Sequence, residues 1–301
     1  MTAEITRSEM AIAADLESAV ADNLHRHIEY GREWFPHQYV PWSKGTDFDG
    51  PLGGRGWSPE QSTLTEPVRA ALVLSVLTED NLPSYYHVML HTYGGTGAWR
   101  EWVHRWSAEE ARHSTVLRDY LHTTRAVDPV QLERARMAQM STGYDQDYQG
   151  VLHMLAYSTL QEWTTRVVHR NTGAVSGDAR CEAMMSRLAM DENLHMIFFR
   201  NLLEQALERD ADSAMVAIAE VLADFRMPGH GVEGFASMAK QLSLAGIYSA
   251  GVHHDAVVVP FARHLSLLDR TGLGPDGRAA QDRIGRYIRR LELVSRRFQS
   301  N

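Results

Sequence analysis

The chain has a single cysteine, Cys181, among 301 residues, so no internal disulfide can form. A reducing, cytoplasmic setting is the expectation that follows. Nowhere is there an apolar run of about 18 residues, the minimum for a membrane-spanning helix. The opening stretch MTAEITRSEMAIAADLESAV carries acids where a secretory leader would be apolar, so neither a leader nor membrane insertion is expected. Alternating apolar and polar residues are also missing, which leaves no pattern for a half-buried strand. Positive charge is scarce: the net charge is −8, which excludes a broad phosphate-neutralising surface for nucleic acid. The one dense basic run is RIGRYIRRLELVSRR (283–297), which reads either as a solvated helix face or as a dock for an acidic carrier protein.

What is present is helical periodicity almost throughout. It predicts helices over 8–31, 65–92, 98–123, 129–141, 147–172, 178–208, 211–226, 231–250, 253–270 and 276–298. Residues 32–63, rich in Gly, Pro and Trp, read as a long ordered loop. GGTG (94–97) and NTGAVSGD (171–178) are short turns between antiparallel neighbours. No shift in composition marks a boundary, so 1–301 reads as one all-α domain with its four-helix core over about 65–208.

Two stretches, AEEARHSTVL (108–117) and MDENLHMIFF (190–199), each place two acids and a histidine on an otherwise apolar helix. Glu-x-x-His occurs three times, at Glu101/His104, Glu110/His113 and Glu192/His195. Counting back separates them: Glu79 lies 31 residues before Glu110 and Glu162 lies 30 before Glu192, whereas the same step from Glu101 lands on alanine. In each hairpin the chain climbs about 20–25 Å to its turn and returns to nearly the same level. Each hairpin thus sets a glutamate opposite a Glu-x-x-His, whose members share a helix face.

Four carboxylates buried together repel unless something cancels them. Two divalent cations would do so, and oxygen with imidazole nitrogen suits iron or manganese. One Glu from each of two helices with Glu-x-x-His from each of two others is the donor set of ferritin-like di-iron bundles. Glu109 and Asp191 sit four residues before the histidines, on the same side, and spacing alone does not choose between them and Glu110 or Glu192.

TEDNLPSY (78–85), RWSAEEARH (105–113), LQEWTTRVVHRNTG (160–173), AMDENLH (189–195), MPGH (227–230) and AQDRIGRYIRRLE (280–292) together resemble the soluble acyl-acyl-carrier-protein desaturases, over about 34–297. WFPHQYVPW and LGGRGWSPEQSTL are closer to bacterial members. The resemblance implies metal ligation by Glu79, Glu110, His113, Glu162, Glu192 and His195, with two iron ions per subunit. It also implies that Asp191 and Trp57 orient His113 from behind, and that Thr165 serves the reacting oxygen from one turn after Glu162. The alternative for Thr165 is a hydroxyl bonded back to its own helix.

The activity implied is O2-dependent insertion of a cis double bond into a carrier-bound acyl chain, fed by a ferredoxin-type donor, in a homodimer. Hydroxylation on the same scaffold and iron storage are the competing readings. Departures from the family occur at Met154 and Leu155, where a small residue then an aromatic is usual, and at GVHHDAV (251–257). The segment from Trp57 to Glu79 is also shorter than in plant members. His87/His91 has metal-ligand spacing without an acidic mate, Trp99, Trp102 and Trp106 read as core, and no strand precedes GGTG to make it a phosphate loop.

Overall fold

The computed structural model describes residues 7–144, 150–227 and 229–299. Among them every regular element is helical, and the one strand-like feature is an isolated bridge between Phe48 and Arg55. Helix α1 (Arg7–Tyr30) is followed by the expected loop, braced by three short 3-10 turns. The predicted helix over 65–92 is divided into α2 (Glu66–Glu79) and α3 (Leu82–Tyr93). Pro83 is the cause: it has no N–H to give the carbonyl of Glu79 four residues back, and its ring crowds that carbonyl. The break therefore falls immediately after a predicted ligand.

α4 (Gly97–Thr123) starts from a turn in which Gly94, Gly95 and Gly97 all take positive φ. The Glu17 carboxylate of α1 accepts the Ala98 N–H at 2.5 Å and so caps this helix. α5 (Pro129–Thr142) and α7 (Ala179–Arg209) are capped by Asp128 and Asp178, each accepting two backbone N–H groups. Between them α6 (Val151–Val175) lies against α7 along its length. A Cβ added at Gly173 would stand 3.0 Å from that of Met185, so glycine permits the close approach.

The remainder, α8 (Ala211–Asp224), α9 (Phe235–Leu244), α10 (Ala250–Val252), α11 (Val259–His264) and α12 (Pro275–Gln299), forms a further helical layer. α9 is shorter than the predicted 231–250 because positive-φ glycines, Gly234 before it and Gly246 after it, stop the helix. The predicted 253–270 is instead a π-helical turn, His253–Val258, running into α11, and Ser266 at φ 51° ends it.

Two large apolar clusters hold the bundle, and a small third one (Ala71, Leu242 and Ile247) joins α2 to α9 and the turn after it. Along α4, Trp102, Val103 and Trp106 join the larger cluster and Val116, Leu117, Tyr120 and Leu121 the smaller. Along α7, Cys181, Met184, Met185 and Leu188 join the smaller, and Met196, Phe198, Phe199 and Leu202 the larger. Between these segments on both helices lies buried polar sequence: Glu109, Glu110 and His113 on one, Asp191, Glu192 and His195 on the other. A charged layer is thus clamped between two dry ones.

Candidate metal centre

Four helices meet in that layer. α2 brings Glu79, α4 brings Glu110 and His113, α6 brings Glu162, and α7 brings Glu192 and His195. Donor atoms of Glu79, Glu110, His113 and Glu192 all lie within 4.8 Å of one another, as do those of Glu110, Glu162, Glu192 and His195. The two nests share Glu110 and Glu192 through different oxygens. Glu110 Oε2 stands 3.2 Å from His113 Nδ1 and its Oε1 2.9 Å from His195 Nδ1. Glu192 Oε1 is 3.3 Å from His113 Nδ1 and Oε2 3.5 Å from His195 Nδ1. Glu79 Oε2 closes one nest at 4.0 Å from His113 Nδ1, and Glu162 Oε2 the other at 3.6 Å from His195 Nδ1. The structure therefore brings all six sequence-predicted residues together.

The inner atoms are crowded but not bonded to one another. His113 Nδ1, His195 Nδ1, Glu162 Oε2 and Glu192 Oε2 are sealed from solvent without a well-formed hydrogen bond. Such orphaned donors are costly unless a further group fills the space between them. Electrostatics agrees. Burial, then the Glu110 charge, pushes the Glu79 carboxyl up to about 8, and burial with the Glu192 charge raises Glu162 well above its ordinary value. Burial also acts upward on Glu192, but His113, His169 and His195 outweigh it and hold this carboxyl well below the usual range. Four carboxylates and two imidazoles converging on two adjoining foci, with unpartnered atoms on Glu162, Glu192, His113 and His195, fit a pair of divalent cations that these residues would hold, Glu110 and Glu192 being common to both groups.

Glu109 and Asp191 face away from both nests. Asp191 Oδ2 is 3.4 Å from His113 Nε2, and Glu109 Oε2 is 3.0 Å from His195 Nε2. Each therefore grips the outer nitrogen of the other motif's histidine and turns Nδ1 inward. Asp191 is in turn held by the Trp34 indole N–H at 2.6 Å and by Arg187 and Arg112. Glu109 is held by His27 Nε2 at 2.8 Å and by Arg105 and Arg112. His27, Glu109 and His195 could be mistaken for a third metal nest. The two guanidiniums already neutralise its single carboxylate.

Trp57 does not orient His113 as the resemblance implied. Its indole donates to the Arg125 carbonyl at 2.9 Å, where it pins the loop to the end of α4, and Trp34 occupies the place on Asp191. Thr165 Oγ1 donates to the Gln161 carbonyl at 3.0 Å, so its hydroxyl is bonded back to its own helix. It nonetheless lines a narrow cavity of about 60 Å³ with Glu79 and Glu110.

His169 escaped the sequence reading. It is fully buried, with Nε2 3.3 Å from Glu192 and 3.5 Å from Glu79, and its seven-residue spacing from Glu162 on one helix face could have flagged it. Trp106, read as core, also donates its indole N–H to Glu162 Oε1 at 3.0 Å.

Fold and site together define a ferritin-like helical protein with paired buried carboxylate–histidine clusters that could hold metal ions. Residues 8–301 match the family model described as fatty acid desaturase, and the chain belongs to that family. It is 37% identical over 307 residues, 99% of this chain and 90% of the relative, to DesA1 of Mycobacterium tuberculosis, which is named as an acyl-[acyl-carrier-protein] desaturase. The palmitoyl-[acyl-carrier-protein] 4-desaturase 3 of Ophrys sphegodes chloroplasts is 27% identical, covering 99% of this chain and 79% of its own. The X-ray structure of DesA2 from Mycobacterium tuberculosis superposes with a TM-score of 0.73 at 30% identity, covering 87% of this chain and 97% of that one. No helix among the described residues is long and apolar enough to cross a membrane.

Proposed function

We propose that the protein is a di-iron acyl-carrier-protein desaturase, in which Glu79, Glu110, His113, Glu162, Glu192 and His195 ligate the two metals. The observation that carries this is the pair of adjoining donor nests sharing Glu110 and Glu192, beside a narrow apolar cavity. Iron held there would supply, with O2, two external electrons and two protons, the power to remove two hydrogens from an unactivated acyl chain, giving a cis alkene and two waters.

The chain's own residues do the rest. Leu82, Val88, Met89, Met154 and Tyr157 line the cavity, exclude water and hold an alkyl segment against Glu79, Glu110 and Thr165. Trp106 fixes the Glu162 carboxylate, and Asp191 and Glu109 keep each ligand histidine turned inward. Thr165 stands on the cavity wall one helical turn after Glu162, and a single side-chain rotation frees its hydroxyl from Gln161 to serve the reacting centre. An acyl carrier protein presents the chain, a ferredoxin-type donor feeds electrons, and the working unit is a homodimer in a reducing, cytoplasmic compartment.

Intact-mass spectrometry tests this reading: palmitoyl- and stearoyl-loaded carrier is incubated with iron-loaded protein, a ferredoxin reducing system and O2. Loss of two hydrogens is expected. Gain of one oxygen would make the protein a hydroxylase, and binding of hundreds of irons per assembly without turnover would make it a store.

A further inference from the structure

The chain carries a net charge of −8, yet one groove gathers cations that no acid neutralises. It has a volume of about 580 Å³, with Arg166, Arg170 and Asn171 of α6 on one wall and Ser249, Val252 and Asp255 on the other. Arg166 is half-buried: its guanidinium lies over the Trp163 ring, 5.4 Å from the centroid, and donates to Asn193 Oδ1 of α7 at 2.6 Å. Arg200 follows Asn193 by seven residues, on the same side of α7, and is also half-buried. It donates to Asn201 Oδ1 at 3.0 Å, while its Nε is sealed from solvent without a partner. Arg170 is exposed at the rim.

None of the three arginines forms an ion pair among the described residues. Two acids stand near them: Asp255, which holds His254 Nδ1 at 2.6 Å, and Glu204, one turn after Arg200. Burial, then the charges of Arg170 and Arg200, holds the Arg166 guanidinium below its ordinary value, so the cations feel one another. Half-buried guanidiniums have lost hydration and here gain no carboxylate, and an anionic surface laid over the groove restores that loss. The groove shares no lining residue with the narrow cavity or with a larger one of about 460 Å³ that adjoins it, so an acyl chain seated in the groove does not reach them. What lies behind it is the metal centre. Trp163 follows Glu162, Arg166 follows Thr165 and Asn193 follows Glu192, so the groove is the outer side of the two helices whose inner sides carry those groups. A helix is about 10–12 Å across, so one helix thickness separates the groove from the nests.

We propose that this groove docks the acidic face of the electron-donor protein, a small iron–sulfur protein, through Arg166, Arg170 and Arg200. This rests on the desaturase reading above and adds to it the side from which electrons enter. Desaturation takes two electrons from outside, and nothing in the chain stores them. Each docking passes one electron from the donor's reduced cluster across the wall of α6 and α7 to a metal ion, and the donor leaves oxidised by one electron. Two dockings supply the pair that one turnover consumes. Complementary charge brings the donor quickly and lets it leave, as a carrier that must exchange between turnovers requires.

The test is calorimetric binding of a plant-type ferredoxin, an acidic iron–sulfur protein, to the iron-loaded chain at low and high salt. Wild type is compared with Arg170→Glu, whose exposed position leaves the fold intact, and with Arg200→Gln. Wild type is expected to bind and to lose affinity as salt rises. Arg170→Glu should bind about tenfold more weakly and Arg200→Gln should lose less, and both should flatten the salt dependence. Helicity, iron content, reduction of the irons by dithionite and binding of palmitoyl-loaded carrier stay as in wild type. Undiminished ferredoxin binding by both variants overturns the inference, as does failure of wild type to bind ferredoxin. Loss of carrier binding in its place would make the groove the carrier's dock, and a change in subunit association would make it a subunit contact. Either result also overturns the inference, and all four leave the desaturase reading standing. Failure of wild type to take up iron removes that reading and the inference with it.

Discussion

The two histidines proposed as ligands sit in matching inner surroundings and different outer ones. His113 and His195 each turn Nδ1 toward Glu110 and Glu192, and each is held at Nε2 by the acid preceding the ligand of the other motif. Behind Asp191, however, stand an indole and two guanidiniums, whereas behind Glu109 stand a second imidazole and two guanidiniums. Trp34 comes from the loop after α1 and His27 from α1 itself. The doubled motif builds the symmetric inner shell, and the N-terminal region breaks the symmetry from outside.

Substituting a shared ligand should erase the comparison altogether. Glu192→Ala removes an oxygen from both nests and is expected to reduce bound iron from two per chain to well below one, with turnover lost, as read by metal analysis. Glu162→Ala should spare the His113 nest and leave about one metal. Next in size are the two gripping acids. Asp191→Ala and Glu109→Ala should each weaken metal binding about 10–100-fold, the usual cost of removing a histidine's outer partner, and mainly on its own side. Mixed loading with spectroscopically distinct ions would resolve the sides, and equal losses at both would mean the nests are not separable.

Smaller effects sharpen the asymmetry. His27→Gln and Trp34→Phe leave the acids in place, so each should cost metal affinity less than loss of its acid does. In the metal-free protein the raised Glu79 and Glu162 carboxyls and the raised His113 and His195 hold protons that a cation must displace. Metal uptake should therefore release protons at pH 7 and tighten as pH rises from 6 to 8, seen calorimetrically as heats that depend on the buffer.

The C-terminal layer has its own, smaller signature. The His253 imidazole lies below its ordinary value, so its contribution to stability is complete above about 6.5 and is lost as pH falls toward 4. His253→Phe should flatten that part of the acid limb by about 3 kcal/mol in denaturant melts run between those pH values.

Much of this was legible in the sequence because the ligand set obeys helical arithmetic. Glu79, Glu110, Glu162 and Glu192 recur at hairpin spacing, and each histidine shares a face with its glutamate, so no long-range packing had to be known. The choice between Glu110 and Glu109, and between Glu192 and Asp191, was not legible from spacing. A difference of 100° around a helix axis decides which carboxylate enters the nest and which reaches past it to the opposite histidine. Trp34 and His27 were hidden because their contacts join residues 157 and 82 positions apart, across loops that periodicity does not describe. The break at Asp80–Asn81 was visible in Pro83. His169, in contrast, was written in the spacing of α6 and went unread because it has no acidic neighbour on its own helix turn.

The central claim is that two metals share Glu110 and Glu192. Anomalous diffraction at the iron edge from iron-loaded crystals tests it most directly. Two peaks are expected, one between His113 and Glu79, the other between His195 and Glu162, with both shared carboxylates reaching each. A single peak, or iron on the His27–Glu109 side, would contradict it.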